Sequence, residues 1–190
     1  MGRTFFLSSL LPRQTVADVA GKHDTARRWR RRADQLGCSG TMTDIETRNR
    51  LIAAAREAAG NAHAPYSNFA VGAALLLTDG SVVTGTNFEN ASYGLSLCAE
   101  TVALATANVG GRLGDVAAVA IVGGAIMGGR MHGDAPIYPC GRCRQVLNEA
   151  AQIGRRDLTV HCASADGGEV RTHQLSELLP HAFGPADLGL

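Results

Sequence analysis

Three cysteines and one glutamate are the residues of this chain best placed to do chemistry. Cys98-Ala99-Glu100 is followed by Pro139-Cys140-Gly141-Arg142-Cys143. Cysteines at i and i+3 lie on one face of a helical turn, so Cys140 and Cys143 can chelate one ion together. A third thiolate, Cys98, at the start of another helix makes a three-point frame. Zinc takes four ligands, so three from the protein leave one position for water, as in catalytic rather than closed structural sites. Three thiolates on Zn²⁺ leave the site with a net negative charge. Helix N-termini stabilise that charge and favour the thiolate forms. Metal coordination lowers the pKa of water toward about 7, and Glu100, two residues after Cys98, is a carboxylate able to take its proton. The same spacing admits plainer roles. Glu100 could be a first-turn carboxylate facing the helix dipole. The cysteine pair could be half of a structural zinc site or inert core thiols, and His132 could complete a structural site with the three cysteines. Cys162, inside an apolar strand, reads as a buried core thiol.

The elements that must position these residues follow from pattern. Thr43-Asp44-Ile45-Glu46 matches a capping box, and Thr47 to Ala59, stopped by Gly60, reads as the first helix. Phe69 to Leu77 is a near-continuous apolar run, hence a buried strand. The Asp79-Gly80 pair marks a hairpin turn, with Val82 to Asn87 as the returning strand. Cys98 to Val109 is helical in composition and ends at Gly110-Gly111. Val116 to Val122 is the third strand. Gly123 to Ala135 is Gly-rich and reads as a loop. Cys140 to Ala151 is a helix, Leu158 to Ala163 and Glu169 to Thr172 are strands, and Leu175 to Leu179 is a helical turn before Pro180. The order α-β-β-α-β-α-β-β implies an α/β fold, a mixed sheet of about five strands with helices packed on it.

The chain has 190 residues, a length suited to one globular domain, with 45% hydrophobic and 18% charged residues. Residues 1–40 carry eight Lys and Arg against three Asp and Glu, whereas residues 41–190 carry ten against fourteen. The acidic body lacks the basic footprint that a nucleic-acid backbone binder needs. Five cysteines, an odd number with no convincing signal peptide, favour metal or catalytic use over a disulfide framework. No apolar run approaches the ~20 residues of a membrane span. Residues 1–41, with Arg27, Arg28 and Arg30 to Arg32 around Trp29, read as an N-terminal extension. It is a solvated or disordered tail, a targeting or RNA-binding arm, or a product of start-site choice with translation beginning at Met42. Residues 42–190 read as the domain that carries the candidate chemistry.

Taken with the Arg144-Gln145 that follows Cys143, these motifs resemble those of the cytidine deaminase family in its small homotetrameric form. The resemblance runs from about Thr43 to Gly184. Pro65-Tyr66-Ser67-Asn68-Phe69-Ala70-Val71-Gly72-Ala73 is similar to the family's first strand, where Phe69 would pack against the pyrimidine. Asn87-Phe88-Glu89-Asn90-Ala91 is similar to its nucleoside-binding motif, which implies that Asn87 and Glu89 hydrogen-bond the ribose 3′-hydroxyl. Ala91 and Tyr93 match positions that reach a neighbouring subunit's site, and Ala99 joins the substrate contacts. Ala182-Phe183-Gly184 matches a C-terminal segment whose Phe closes a neighbouring pocket. Two features depart from the pattern. Thr101 stands where many members carry Arg, leaving helix dipoles, Arg142 or Arg144 to balance the thiolates, and the stretch from Gly123 to Tyr138 is longer than usual.

The resemblance implies one Zn²⁺ per subunit, held by Cys98, Cys140 and Cys143, and hydrolytic deamination of cytidine or deoxycytidine at C4, with Glu100 carrying protons. It implies a cytoplasmic homotetramer with shared sites, acting on a small nucleoside rather than on nucleic acid or at a membrane. The competing readings are a blasticidin-S-type deaminase, a polynucleotide-editing deaminase and a zinc-stabilised interaction module.

Overall fold

The computed structural model describes residues 44–189. The N-terminal extension 1–41, Cys38, the Arg-rich run and the Thr43 cap lie outside the described residues. Helix α1 spans Asp44–Ala59, strand β1 Phe69–Leu77, β2 Val82–Thr86, helix α2 Ala99–Val109, β3 Val116–Met127, β4 Arg130–His132, helix α3 Gly141–Gly154, β5 Thr159–Ser164, β6 Val170–Gln174 and the short helix α4 Leu175–Leu178. The strands form one mixed sheet in the order β2-β1-β3-β5-β6, with β4 paired to the far end of β3. Strand β1 runs antiparallel to both β2 and β3, and β3 runs parallel to β5.

This topology builds the layers. Strands β2 and β3 both run opposite to β1, so α2 is a crossover between parallel strands, and α3 is a second one between β3 and β5. Each places a helix on the sheet. Leu51, Ile52 and Ala55 of α1 pack with Ala74, Ala118, Ala120 and Val122 of the sheet. A second cluster joins Ala103, Leu104 and Ala107 of α2 and Leu147 and Ala150 of α3 to Leu75, Val119, Ile121 and Val160. The strands β1 and β3 are covered on both sides, which is why they read as continuous apolar runs rather than alternating ones.

Small residues let α2 lie close to the sheet. A Cβ built on Gly85 of β2 would sit 2.4 Å from the Ala103 backbone nitrogen and 2.5 Å from the Ala99 carbonyl oxygen. Backbone on both sides cannot yield without moving the helix that begins at Cys98. Replacing Gly85 with Ala is therefore expected to destabilise the fold by about 1–3 kcal/mol, measured by denaturant unfolding, and to lower metal retention with it.

The sheet differs from expectation in one region. Gly123 to Ala135 is not a loop: β3 continues to Met127, and Arg130–His132 returns as a sixth strand. The Gly-rich composition hides a hairpin. Gly128 and Gly129 both take positive φ, 58° and 74°, and Ala125, Ile126 and Met127 pair with His132, Met131 and Arg130. Two consecutive left-handed residues are what a tight two-residue hairpin turn requires.

Candidate active site

The site lies where the two crossovers begin. Cys98 is the N-cap of α2 and Cys140 the N-cap of α3, both in extended backbone, and Cys143 sits one turn into α3. Crossover helices leave the C-terminal ends of the parallel strands β2 and β3, the end of an α/β sheet where ligand sites form. A short closed loop sets Cys98. Phe88 and Leu97 exchange backbone hydrogen bonds at 3.0 and 2.8 Å, so residues 89–96 are pinched off and Cys98 returns beside Asn87. Inside it the Asn90 side chain accepts from the Ser92 N–H at 2.8 Å, and the Ser96 hydroxyl accepts from the Asn90 N–H at 3.0 Å.

The three sulfurs converge. Cys98, Cys140 and Cys143 place their Sγ atoms within 4.8 Å of one another, the only such metal-binding group among the described residues. The Cys98 and Cys140 sulfurs are 3.9 Å apart. Tetrahedral zinc with Zn–S bonds of about 2.3 Å separates its sulfurs by about 3.8 Å, so the donor set fits that ion in type and in spacing. His132 lies on β4 outside this group, so it does not complete a four-ligand structural site.

Electrostatics point the same way. Hydrogen bonding from the Cys143 thiol, helped by Cys140, holds the Cys98 thiol down to about 6 against burial and the Glu100 charge. Cys143 moves in the opposite direction, because it donates to the Cys98 thiolate and is itself buried. The thiols share protons that a cation would displace. Cys162, by contrast, is pushed up to about 12 by burial, as a core thiol should be.

Glu100 is the one buried carboxylate of the described residues, 4% exposed. It stands in the first turn of α2. Burial raises its pKa, while its own backbone N–H and the Cys143 thiol pull the other way. A carboxylate beside the metal ligands with a raised proton affinity is suited to accept a proton and return it.

Asn87 and Glu89 are tied to the backbone around the start of β1. The Asn87 side chain accepts from the Val71 N–H and donates to the Phe69 carbonyl, both at 2.9 Å. Glu89 accepts from the backbone N–H groups of Tyr66 and Ser67 at 2.9 and 3.2 Å. The Ser67 hydroxyl and the Tyr66 N–H hold its carboxyl below the usual range. Glu89 and Tyr93, with Tyr66, Ser67 and Ser96, line a cleft of about 340 Å³, and the Tyr66 and Tyr93 rings meet edge to face at 5.5 Å. Phe69 and Ala91 are exposed nearby in sequence, and Ala99 is fully buried at the first position of α2. Phe183 is 61% exposed. A larger cavity, about 460 Å³ against α3 and the C-terminal segment, contains none of the predicted site residues.

Four residues make contacts that the sequence does not reveal. The Arg144 guanidinium donates to the carbonyls of Pro139 at 2.8 Å and Leu178 at 3.1 Å, bracing the turn before Cys140. Thr101, at the position where many members of the family carry Arg, places its hydroxyl 3.9 Å from the Cys143 sulfur. Gln145 and Asn148 contact the C-terminal segment. None of these partnerships leaves a local signal, because each joins residues more than thirty positions apart or depends on helix phase.

An α/β layer fold with three thiolates and a buried carboxylate at paired helix N-termini defines a metal-dependent hydrolytic centre. Residues 45–157 match the cytidine and deoxycytidylate deaminase zinc-binding region. Among similar proteins, the cytidine deaminase of Mycobacterium tuberculosis is 47% identical over 148 residues, 77% of this chain and 96% of that protein. That of Halalkalibacterium halodurans is 44% identical over 141 residues, 74% of this chain and 97% of that protein. The crystal structure of cytidine deaminase from Burkholderia pseudomallei superposes with a TM-score of 0.61 at 47% identity, covering 75% of this chain and all of that one. This chain belongs to the cytidine and deoxycytidylate deaminase family. It is a zinc-dependent deaminase, with Cys98, Cys140 and Cys143 positioned to bind the ion.

Proposed function

We propose that the chain hydrolyses cytidine and deoxycytidine to uridine and deoxyuridine, releasing ammonia. The observation that carries the reading is the convergence of three sulfurs within 4.8 Å beside the buried Glu100. Cys98, Cys140 and Cys143 would hold the zinc, whose Lewis acidity would make water acidic enough to serve as a nucleophile toward C4 at neutral pH. Glu100 takes one proton from the attacking water and delivers it to N3 of the base, then carries the second, from the new C4 hydroxyl, to the amino nitrogen, which leaves as ammonia. Its burial keeps bulk water from competing for that proton. Phe69 and Ala99 bound the pyrimidine. Asn87 and Glu89 face the ribose hydroxyl, and the Glu89 carboxylate has acceptor capacity beyond its two backbone donors.

The protein acts as a homotetramer in the cytoplasm, with Ala91, Tyr93 and Phe183 serving neighbouring sites. The exposure of Tyr93 at 72% and Phe183 at 61% supports that role, since exposed aromatics are typical interface anchors. No helix of the described residues is long and apolar enough to cross a membrane. The named relatives, all cytidine deaminases, do not favour the blasticidin-S, polynucleotide or interaction-module readings. A substrate panel tests the choice. Cytidine and deoxycytidine are expected to be turned over, with blasticidin S and single-stranded polynucleotide at least about 100-fold slower, a floor below the ~10⁴-fold that a site built to hydrogen-bond a hydroxyl can reach. Preference for either of the latter would overturn the assignment.

A further inference from the structure

Four side chains of α3 hold the backbone of the C-terminal segment. Arg144 donates to the Leu178 carbonyl at 3.1 Å. Gln145 and Asn148 both donate to the Phe183 carbonyl, at 2.6 and 3.2 Å, and Gln152 accepts from the Ala186 N–H at 3.0 Å. These positions span two turns of one helix face. They address only main-chain groups, so they set the path of the segment rather than its composition. At Phe183 the result is unusual: the carbonyl is held twice, while the residue is 61% exposed. A residue anchored only for local packing would bury its ring. Here the backbone is fixed and the ring is displayed. The helix that fixes it is the one that carries Cys140 and Cys143 at its start.

We infer that Gln145 and Asn148 are positioning residues for substrate binding: their amides fix the Phe183 carbonyl so that the ring meets the substrate pocket of a second copy of this chain. The inference rests on the reading that Phe183 closes a neighbouring pocket. Fixing the ring beforehand removes an ordering cost that substrate binding would otherwise bear, so the clamp acts on KM rather than on the proton transfers of Glu100.

The test is a double-mutant cycle on the full chain, with KM, kcat and bound zinc measured for each variant. Phe183→Ala removes the ring and keeps the carbonyl; it is expected to raise KM roughly tenfold, as for loss of a hydrophobic pocket wall. Gln145→Ala with Asn148→Ala removes both donors while alanine preserves the helix. It is expected to raise KM roughly three- to tenfold, the worth of one or two hydrogen bonds, with kcat and zinc content unchanged. Combined, the three changes should raise KM no further than Phe183→Ala alone. Additive effects on KM, or an unchanged KM in the clamp variant, would overturn the inference while leaving the pocket role of Phe183 intact. An unchanged KM in Phe183→Ala would instead remove the pocket role itself, and the inference with it.

Discussion

Replacing Glu100 with Gln is expected to leave bound zinc and thermal stability nearly unchanged and to lower kcat by at least about 10²–10⁴-fold, the range for loss of a positioned general acid–base group. Gln keeps the shape of the side chain, so the first turn of α2 and the three sulfurs stay in place. What disappears is the ability to accept a proton and give it back. Glu100 is 4% exposed and its pKa is raised chiefly by burial. Removing its charge therefore relieves a desolvation cost, and the variant should be no less stable than the parent. Zinc content by elemental analysis, set beside initial rates, checks the prediction. A variant that kept most of its turnover would end the assigned role, and one that lost zinc as well would make Glu100 a structural rather than a catalytic residue.

Replacing Cys143 with Ala is expected to cost at least about 100-fold in zinc affinity, more than loss of an outer partner of a metal ligand usually does. Activity should fall below detection. Cys143 is fully buried and its sulfur contacts the Thr101 hydroxyl, and among the described residues no other His, Cys, Asp or Glu joins the cluster to replace the lost donor. Cys162→Ala is the matched control. Cys162 is equally buried and its thiol is pushed up to about 12, yet it lies on β5 outside the sulfur cluster. That variant should keep its zinc and lose only some stability through the small cavity it leaves. Competition with a chromophoric chelator distinguishes the two. Equal loss of zinc from both variants would show that core packing, not ligation, had been measured.

The metal ligands were legible because their spacing is itself geometry. A Cys-x-x-Cys pair at a helix start turns its sulfurs to one side whatever the rest of the fold does. The strands were legible where apolar runs were unbroken, and β1 was read to both its ends. What escaped was structure carried by glycine and by long-range contact. Strand β4 was read as loop because Gly123, Gly124, Gly128 and Gly129 dominate its surroundings, although two of them form the tight turn that makes a strand possible. The bracing role of Arg144 escapes because its partners, the carbonyls of Pro139 and Leu178, carry no sequence signature. The backbone roles of Asn87 and Glu89 were hidden for the same reason.

The most direct measurement follows cytidine conversion to uridine by ultraviolet absorbance, using purified full chain before chelation, after chelation and after zinc is returned. The account predicts turnover that chelation abolishes and one equivalent of zinc per chain restores. Deamination at an undiminished rate by thoroughly chelated protein, or no turnover of cytidine or deoxycytidine by fully zinc-loaded protein, would contradict it.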